Sequence, residues 1–543
     1  MSRAIPVVLL ALAASPLSGG AQPGSASRPA VDAIFASIDA KGPGCAVGIG
    51  EGGRLSYARG FGMADIEHGV SIAATTPFYV ASTSKQFAAF AIVLLARDGR
   101  LSLDDDVRKY IPELADFGTP ITIRHLLHHT SGLRDYFEVL ASRGWPFDGT
   151  LTEEEFLRIV GRQRELNFPP GSQHLYSNTG YVLLSILVQR VRGQSLRQFS
   201  QERIFAPLGM ERSIFRDDHR MLVADRALAY EMIPGNALRL SVPQFDVVGD
   251  GGLYASVEDL VRWASNAYTP KSGDARDWAT LVTRGVLTGG DTIPYALGIS
   301  HGTWGGRATL AHGGAFGGYR AELLRVPEAR LDVAVLCNFA GADPTGFARR
   351  VVDAILPPRP AAAAPVATRT VVRPNEAIPT GTWLSRWTER WVRISREGDS
   401  LVAAGPFART RVVLTEHGIE IPSQRITIRR PPSGAGEWEM SLGGAGREPL
   451  VAVDTTVPRQ GAIAATMGEF ASPESEGRLT LIVESGQLTL RRPGVPPTRL
   501  APLGPNRFTA GPVVVTMLGQ APFDSLRVSS PRASRVKFVR IAR

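Results

Sequence analysis

The chain is poor in two residue types, and both shortages are informative. It has two cysteines in 543 residues. That excludes a disulfide-stapled mini-fold and any multi-cysteine zinc or iron–sulfur centre. It has only five lysines (Lys41, Lys85, Lys109, Lys271 and Lys537) among 60 basic residues. Arginine is the default cation here, so each lysine raises the question of what arginine could not do in its place. No apolar run reaches the roughly 18–20 residues that a membrane-spanning helix needs. No motif for a cofactor stands out, and none for reading nucleic acid.

What is present is a globular composition, 44% hydrophobic and 20% charged. The formal charge of +9 is unevenly placed. Residues 357–543 hold 25 Lys+Arg against 15 Asp+Glu, while residues 1–356 hold 35 against 36. The basic character therefore belongs to the C-terminal third, where the anionic partner to expect is the cell envelope. The N-terminus explains why an envelope enters the reading. Arg3, the apolar run Ala4–Ala14 and the small residues Gly19-Gly20-Ala21 have the pattern of an export signal. We expect a signal over 1–21 and a periplasmic or secreted protein starting near Gln22.

Residues 357–378 are rich in proline and alanine and show no amphipathic period, which predicts a linker. Before it, strands and helices mix. Ser82–Ala96 and Gly180–Val191 have long apolar faces. Thr152 with Glu155 forms a capping box, and Ser256 with Asp259 caps another helix. Cys45–Gly50, Ala321–Val326 and Leu331–Cys337 are short β runs. Strands at both ends of a helical middle predict an α+β domain over 22–356, with both ends in one antiparallel sheet. After the linker only β runs remain. Gly381, Trp383, Ser385, Glu397 and Leu401 are echoed 87 residues later by Gly468, Phe470, Ser472, Glu484 and Leu488. Two small antiparallel β-barrel-like domains are expected, over 379–460 and 461–543.

Three short motifs carry chemistry. In Ser82-Thr83-Ser84-Lys85 the serine and lysine lie on one helical face. A serine in a first helical turn sits beside free N–H groups that favour an oxyanion. A desolvated lysine can take the serine proton, which arginine cannot. Ser534 and Lys537 have the same spacing in a β run, where the two side chains point to opposite faces. Tyr176-Ser177-Asn178 is the only Tyr-x-Asn. A tyrosine beside a cationic lysine has its phenolate favoured and can relay a proton. Asn178 can orient a substrate carbonyl and hold the lysine, or else cap the following helix. His312-Gly313-Gly314 precedes a strand, where glycines let a substrate approach the edge. Trp304-Gly305-Gly306 competes for that third position.

In this order the motifs resemble the penicillin-recognising serine hydrolases, and most the class C β-lactamase-like branch. That branch includes D-alanyl-D-alanine carboxypeptidases, D-aminopeptidases and family VIII-type esterases. Phe78–Ser82, Ile121–Gly132, Pro207–Met210 and Gly251–Asp259 add to the resemblance, which covers about residues 30–355. It implies Ser82 as nucleophile, Lys85 and Tyr176 as general base and acid, and Asn178 as substrate-orienting. It implies His312 at the third-motif position, Gly313 and Gly314 beside the substrate, and the backbone N–H groups of Ser82 and Ala315 as oxyanion hole. It implies a small peptide, amide or ester substrate and neither cofactor nor metal.

A histidine instead of the usual lysine at 312 weakens a β-lactamase or strict carboxypeptidase reading and looks more like the D-aminopeptidase arrangement. A carboxylesterase or weak β-lactamase of the same family, and a non-catalytic cell-wall peptide-binding protein, are the alternatives. His125, His128 and His129 fall in a stretch that is structural in the family, so no metal is assigned to them. The resemblance also makes the strands of Cys45 and Cys337 antiparallel neighbours. Adjacent-strand geometry is restrictive, so two buried thiols are expected rather than a disulfide.

Overall fold

A computed structural model describes residues 28–542 apart from 146–147, 358, 360–379, 399, 407–408, 416–417, 422–425, 431–436, 444–445 and 457–462. The expected signal over 1–21 and nearly all of the expected linker lie outside the described residues. Among the described residues, no helix is long and apolar enough to cross a membrane.

The first architectural unit is a six-stranded antiparallel sheet. Its strands are β1 (Cys45–Glu51), β2 (Arg54–Phe61), β3 (Ser300–Trp304), β4 (Arg307–Phe316), β5 (Tyr319–Val326) and β6 (Leu331–Cys337). They lie in the order β3-β4-β5-β6-β1-β2, so the two ends of the domain meet at β1 and β6. Helices include α1 (Arg28–Phe35), α2 (Lys85–Arg97), α3 (Tyr136–Ser142), α4 (Asn178–Arg192), α5 (Val257–Ser265) and α6 (Pro344–Ile355), with others such as Glu153–Gly161 between them. Strand residues alternate between two buried faces, as the period of two requires. Val333 and Val335 join the cluster of Phe35, Val351 and Val352, under α1 and α6. Ala334 and Leu336 join the large cluster that includes α2, α4 and α5. The capping box at Thr152 and the cap at Ser256 form as expected.

The strand register corrects the cysteine expectation. β1 and β6 pair with Cys45 directly opposite Cys337, Cα atoms 4.0 Å apart, and the two are joined by a disulfide. Direct opposition in this register brings the two side chains together, and register cannot be read from the sequence of either strand alone.

The C-terminal region forms two nine-stranded antiparallel sheets. In the first, the edge strands are Arg409–Arg411 and Val413–Thr415; in the second, Val495–Arg499 and Ala501–Gly504. In both, the two edges are consecutive in sequence with a single residue between them. A sheet whose opposite edges are joined by one residue must roll up, so each is a nearly closed barrel. Numbered within each sheet, the strands run in the same spatial order, 4-3-2-1-9-8-7-6-5. The 87-residue echo thus reflects a repeated topology. Each barrel is filled from within, the first by residues such as Ile394, Ile421 and Ile428 and the second by Phe470, Phe508 and Phe538.

The second barrel is bolted to the first unit through a buried arginine. Arg134 has no exposed side-chain surface. Its guanidinium donates to Glu474 Oε2 at 2.7 Å, Gln163 Oε1 at 2.9 Å, Ser534 O at 2.8 Å and Arg535 O at 3.1 Å. Asn167 adds two bonds to the same hairpin, donating to Arg532 O and accepting from Ser534 N. The Ser534 residue that mimicked the serine–lysine spacing is therefore a buried interface residue, and Lys537 is exposed.

Candidate active site

Ser82 lies in a short 3-10 turn, Ala81–Ser84, that runs into α2 at Lys85. The sequence pattern predicted one continuous α-helix. The difference matters, because residues three apart in a 3-10 turn eclipse one another. The Lys85 N–H donates to Ser82 O, and Lys85 Nζ comes to 3.0 Å from Ser82 Oγ.

Lys85 is fully buried. Its Nζ also lies 2.9 Å from Asn178 Oδ1 and 2.7 Å from the backbone oxygen of Asp250. Two of these three partners can only accept a hydrogen bond, whereas the serine hydroxyl can also donate. An ammonium would spend all three N–H groups and have no lone pair for the serine proton. A neutral amine gives two N–H groups to Asn178 and Asp250 and turns its lone pair to Ser82. Burial favours this form by pulling the Lys85 pKa well below the usual lysine range, against the opposing charges of Asp250 and Asp135.

The Asn178 amide is oriented by its own partner. Asp135 Oδ2 accepts from Asn178 Nδ2 at 3.0 Å and from the Asn178 N–H at 2.7 Å, and Oδ1 caps α3 at Phe137 N. A carboxylate only accepts, so the amide nitrogen must face Asp135 and the oxygen must face Lys85. Asn178 is the first residue of α4, with Ser177 in the capping position.

Tyr176 stands beside the Ser82 side chain. Its ring lies 4.8 Å from Lys85 Nζ and 4.2 Å from the His129 ring centroid. The expected phenolate is corrected: burial pushes the Tyr176 pKa up, far above its usual value. Tyr176 is a neutral phenol that can pass a proton but not store a negative charge. His129 accepts from the Ser177 N–H at Nδ1, 3.2 Å away, and so steadies the Tyr176 loop. His125 closes a capping box with Thr122. These histidines serve the scaffold.

His312 lies within β4 and ahead of β5, as expected. β4 pairs with β3 only as far as Ala311, so His312–Phe316 present an edge toward the Ser82 turn. Thr83 Oγ1 donates to His312 O across that gap at 3.1 Å. A Cβ on Gly314 would meet Val80 O at 2.1 Å, which is why only glycine lets strand and turn come this close. Burial lowers the His312 pKa to about 4, so the ring is neutral. Its Nδ1 lies 2.7 Å from Gly313 O and its Nε2 3.0 Å from the Tyr295 hydroxyl. The carbonyl must accept, so the single imidazole proton sits on Nδ1 and Nε2 accepts from Tyr295. The histidine has no donor left for a substrate carboxylate. Trp304-Gly305-Gly306 is the β3–β4 turn; its indole donates to Asp353 on α6, remote from Ser82.

One cleft of about 1560 Å³ gathers Ser82, Tyr176, Asn178, His312, Gly313, Gly314 and Ala315. It is also lined by residues that sequence reasoning missed. Asp250 directly precedes the Gly251-Gly252 stretch; Asp135, buried behind Asn178 and outside the lining, follows Ser131-Gly132 by three residues, so both had a weak positional signal. Arg532 and Glu138 had none.

An antiparallel sheet with a helical lobe, a serine in a turn at the foot of a buried helix and a lysine three residues on define the β-lactamase-like, penicillin-recognising class of fold. The chain belongs to the Beta-lactamase family, whose model matches residues 31–356. It is similar to a D-aminopeptidase of Gluconobacter oxydans, 31% identical over 329 residues; the match spans 60% of this chain and 62% of that protein. A D-aminopeptidase of Cereibacter sphaeroides is 26% identical over 501 residues, spanning 88% and 90%. Among solved structures, an octameric penicillin-binding protein homologue from Pyrococcus abyssi has a TM-score of 0.53 at 21% identity, covering 95% of this chain and 99% of that one. A D-amino acid amidase from Ochrobactrum anthropi SV3 has a TM-score of 0.52 at 24% identity, covering 61% and 98%. At these identities the structures establish the fold.

Proposed function

We propose that the protein is a serine amidohydrolase that acts through an acyl-enzyme on Ser82, with D-amino-acid amides or peptides as substrates. The observation that carries this is the placement of Lys85: fully buried, between two obligate acceptors and the Ser82 hydroxyl. In the first step Lys85 takes the Ser82 proton as Oγ attacks the carbonyl, and the N–H groups of Ser82 and Ala315 receive the oxyanion. Tyr176, beside Ser82 in the same cleft, passes the proton to the leaving amine. Water, deprotonated by the same groups, releases the acid and restores Ser82.

The D-aminopeptidase names of the relatives support the substrate class. So does the third motif, where a neutral His312 with its proton already engaged offers no anchor for a C-terminal carboxylate. We also propose that the protein works outside the cytoplasm, a reading supported by the Arg3–Ala21 pattern and by a disulfide suited to an oxidising compartment.

A substrate panel tests the class: D- and L-amino acid amides, D-Ala-D-Ala peptides, short acyl esters and a cephalosporin, each with wild type and Ser82→Ala. D-amides are expected to be turned over at least about ten-fold faster than their L-forms, a discrimination of roughly 1.4 kcal/mol. Turnover of esters alone, or a preference for L-amides, would contradict it.

A further inference from the structure

Among the described residues, one side chain of the C-terminal barrel lines the cleft of Ser82. Arg532 stands at the turn between strands Ser525–Ser530 and Ala533–Ala542, and it lines the same cleft as Ser82. Its guanidinium lies 3.2 Å from Asp135 Oδ2 and 3.5 Å from Glu138 Oε1. Its carbonyl accepts the Asp135 N–H at 2.9 Å. The oxygen of Asp135 that meets Arg532 is the one that orients Asn178, and Asn178 in turn meets Lys85.

We propose that Arg532 is a positioning residue for Lys85: from the last hairpin it clamps the Asp135 carboxylate that fixes Asn178 against the lysine. The proposal rests on Lys85 being the base for Ser82.

Its physical content is charge balance. Tyr176, Tyr181, His129 and His312 surround Lys85, and burial holds all four neutral by raising the phenols and lowering the imidazoles. The ionisable groups that remain to act on the lysine are Asp250, itself bonded to the Tyr136 hydroxyl, together with Asp135 and Arg532. Asp135 is fully buried, and its charge alone would favour the ammonium form of Lys85. Arg532 offsets that charge and so favours the neutral amine, the form that can accept a proton. A residue about 450 positions along the chain therefore helps to set the pH at which Ser82 becomes nucleophilic, and Glu138 tempers it by sharing the guanidinium.

The experiment uses the full chain and a fluorophosphonate probe. The rate of Ser82 phosphonylation is followed from pH 5 to 9 by intact mass, for wild type, Arg532→Gln, Arg532→Lys and Glu138→Gln. The rate rises with pH as Lys85 loses its proton. Arg532→Gln is expected to move this limb up by about half a unit to one unit, slowing labelling roughly three- to ten-fold on its acid side with the alkaline plateau kept. Arg532→Lys, which keeps the charge, is expected to restore the wild-type limb. Should the glutamine variant fail to fold, Glu138→Gln reads the opposite sign, because freeing Arg532 moves the limb down. A limb unmoved in Arg532→Gln, a limb equally displaced in Arg532→Lys, or an upward or absent shift in Glu138→Gln overturns the proposal. Absence of labelling in wild type, or labelling unaffected by Ser82→Ala, instead overturns the reading of Ser82 and Lys85 on which it stands.

Discussion

Lys85→Arg is expected to lower kcat/KM by about a thousand-fold or more, in the upper range for loss of a general base. The substitution puts the commonest cation of this chain at the site, so it asks whether any basic side chain serves there or only one that can shed its proton. A guanidinium does not give up its proton in a protein, whatever the burial around it. The three partners at 2.7–3.0 Å would then face a permanent cation, and Ser82 Oγ would meet only donors. Steady-state kinetics on the best amide of the panel measure the loss, with the melting temperature as the control for folding. Activity within ten-fold of wild type, in a folded variant, would show that the proton goes elsewhere.

Arg134→Ala is expected to destabilise the protein by about 3–5 kcal/mol, the range for removing one partner of a buried ion pair. Glu474, only 10% exposed, would keep a charge with its counter-ion gone, and the carbonyls of Ser534 and Arg535 would lose their donor. The variant should unfold at a clearly lower urea concentration. Because the same hairpin carries Arg532, it should also lose activity before it loses its helical signal. An unchanged midpoint would mean that the barrel is held by its other contacts, among them the Asn167 bonds and the ion pairs of Glu165 and Glu476. That would separate the fold of the catalytic unit from the barrel that now caps its cleft.

These two residues mark where the sequence was legible. Ser82, Lys85, Tyr176 and Asn178 sit in compact motifs, and compact motifs survive being read in one dimension. The structure brings the other three around the Lys85 nitrogen. The paired barrels were legible as well, because repetition of Gly381 at Gly468 and Leu401 at Leu488 needs no knowledge of contacts. Properties that depend on burial or register were not. A solvent-facing Tyr176 beside a cation would lose its proton readily, whereas the buried one holds it. His312 was found at its position, but its bond to Gly313 O, which uses its only proton, is a matter of rotamer. The Cys45–Cys337 bond follows from a strand pairing 292 residues apart. Arg134 and Arg532 have no local pattern at all. They are two arginines among 55, and only the docking of a distant barrel shows what they touch.

The shortage of lysine now has a structural counterpart. Of the five, Lys41, Lys109, Lys271 and Lys537 are exposed, while Lys85 alone is enclosed among groups that leave it a lone pair. The most direct test of the account is to treat the full-length protein with a fluorophosphonate near neutral pH and map the adduct by mass spectrometry. The account predicts a single phosphonyl group on the Ser82 peptide, absent from Ser82→Ala and at least about a hundred-fold slower to form in Lys85→Arg. An adduct that persists in Ser82→Ala, or forms at the wild-type rate without Lys85, would contradict it.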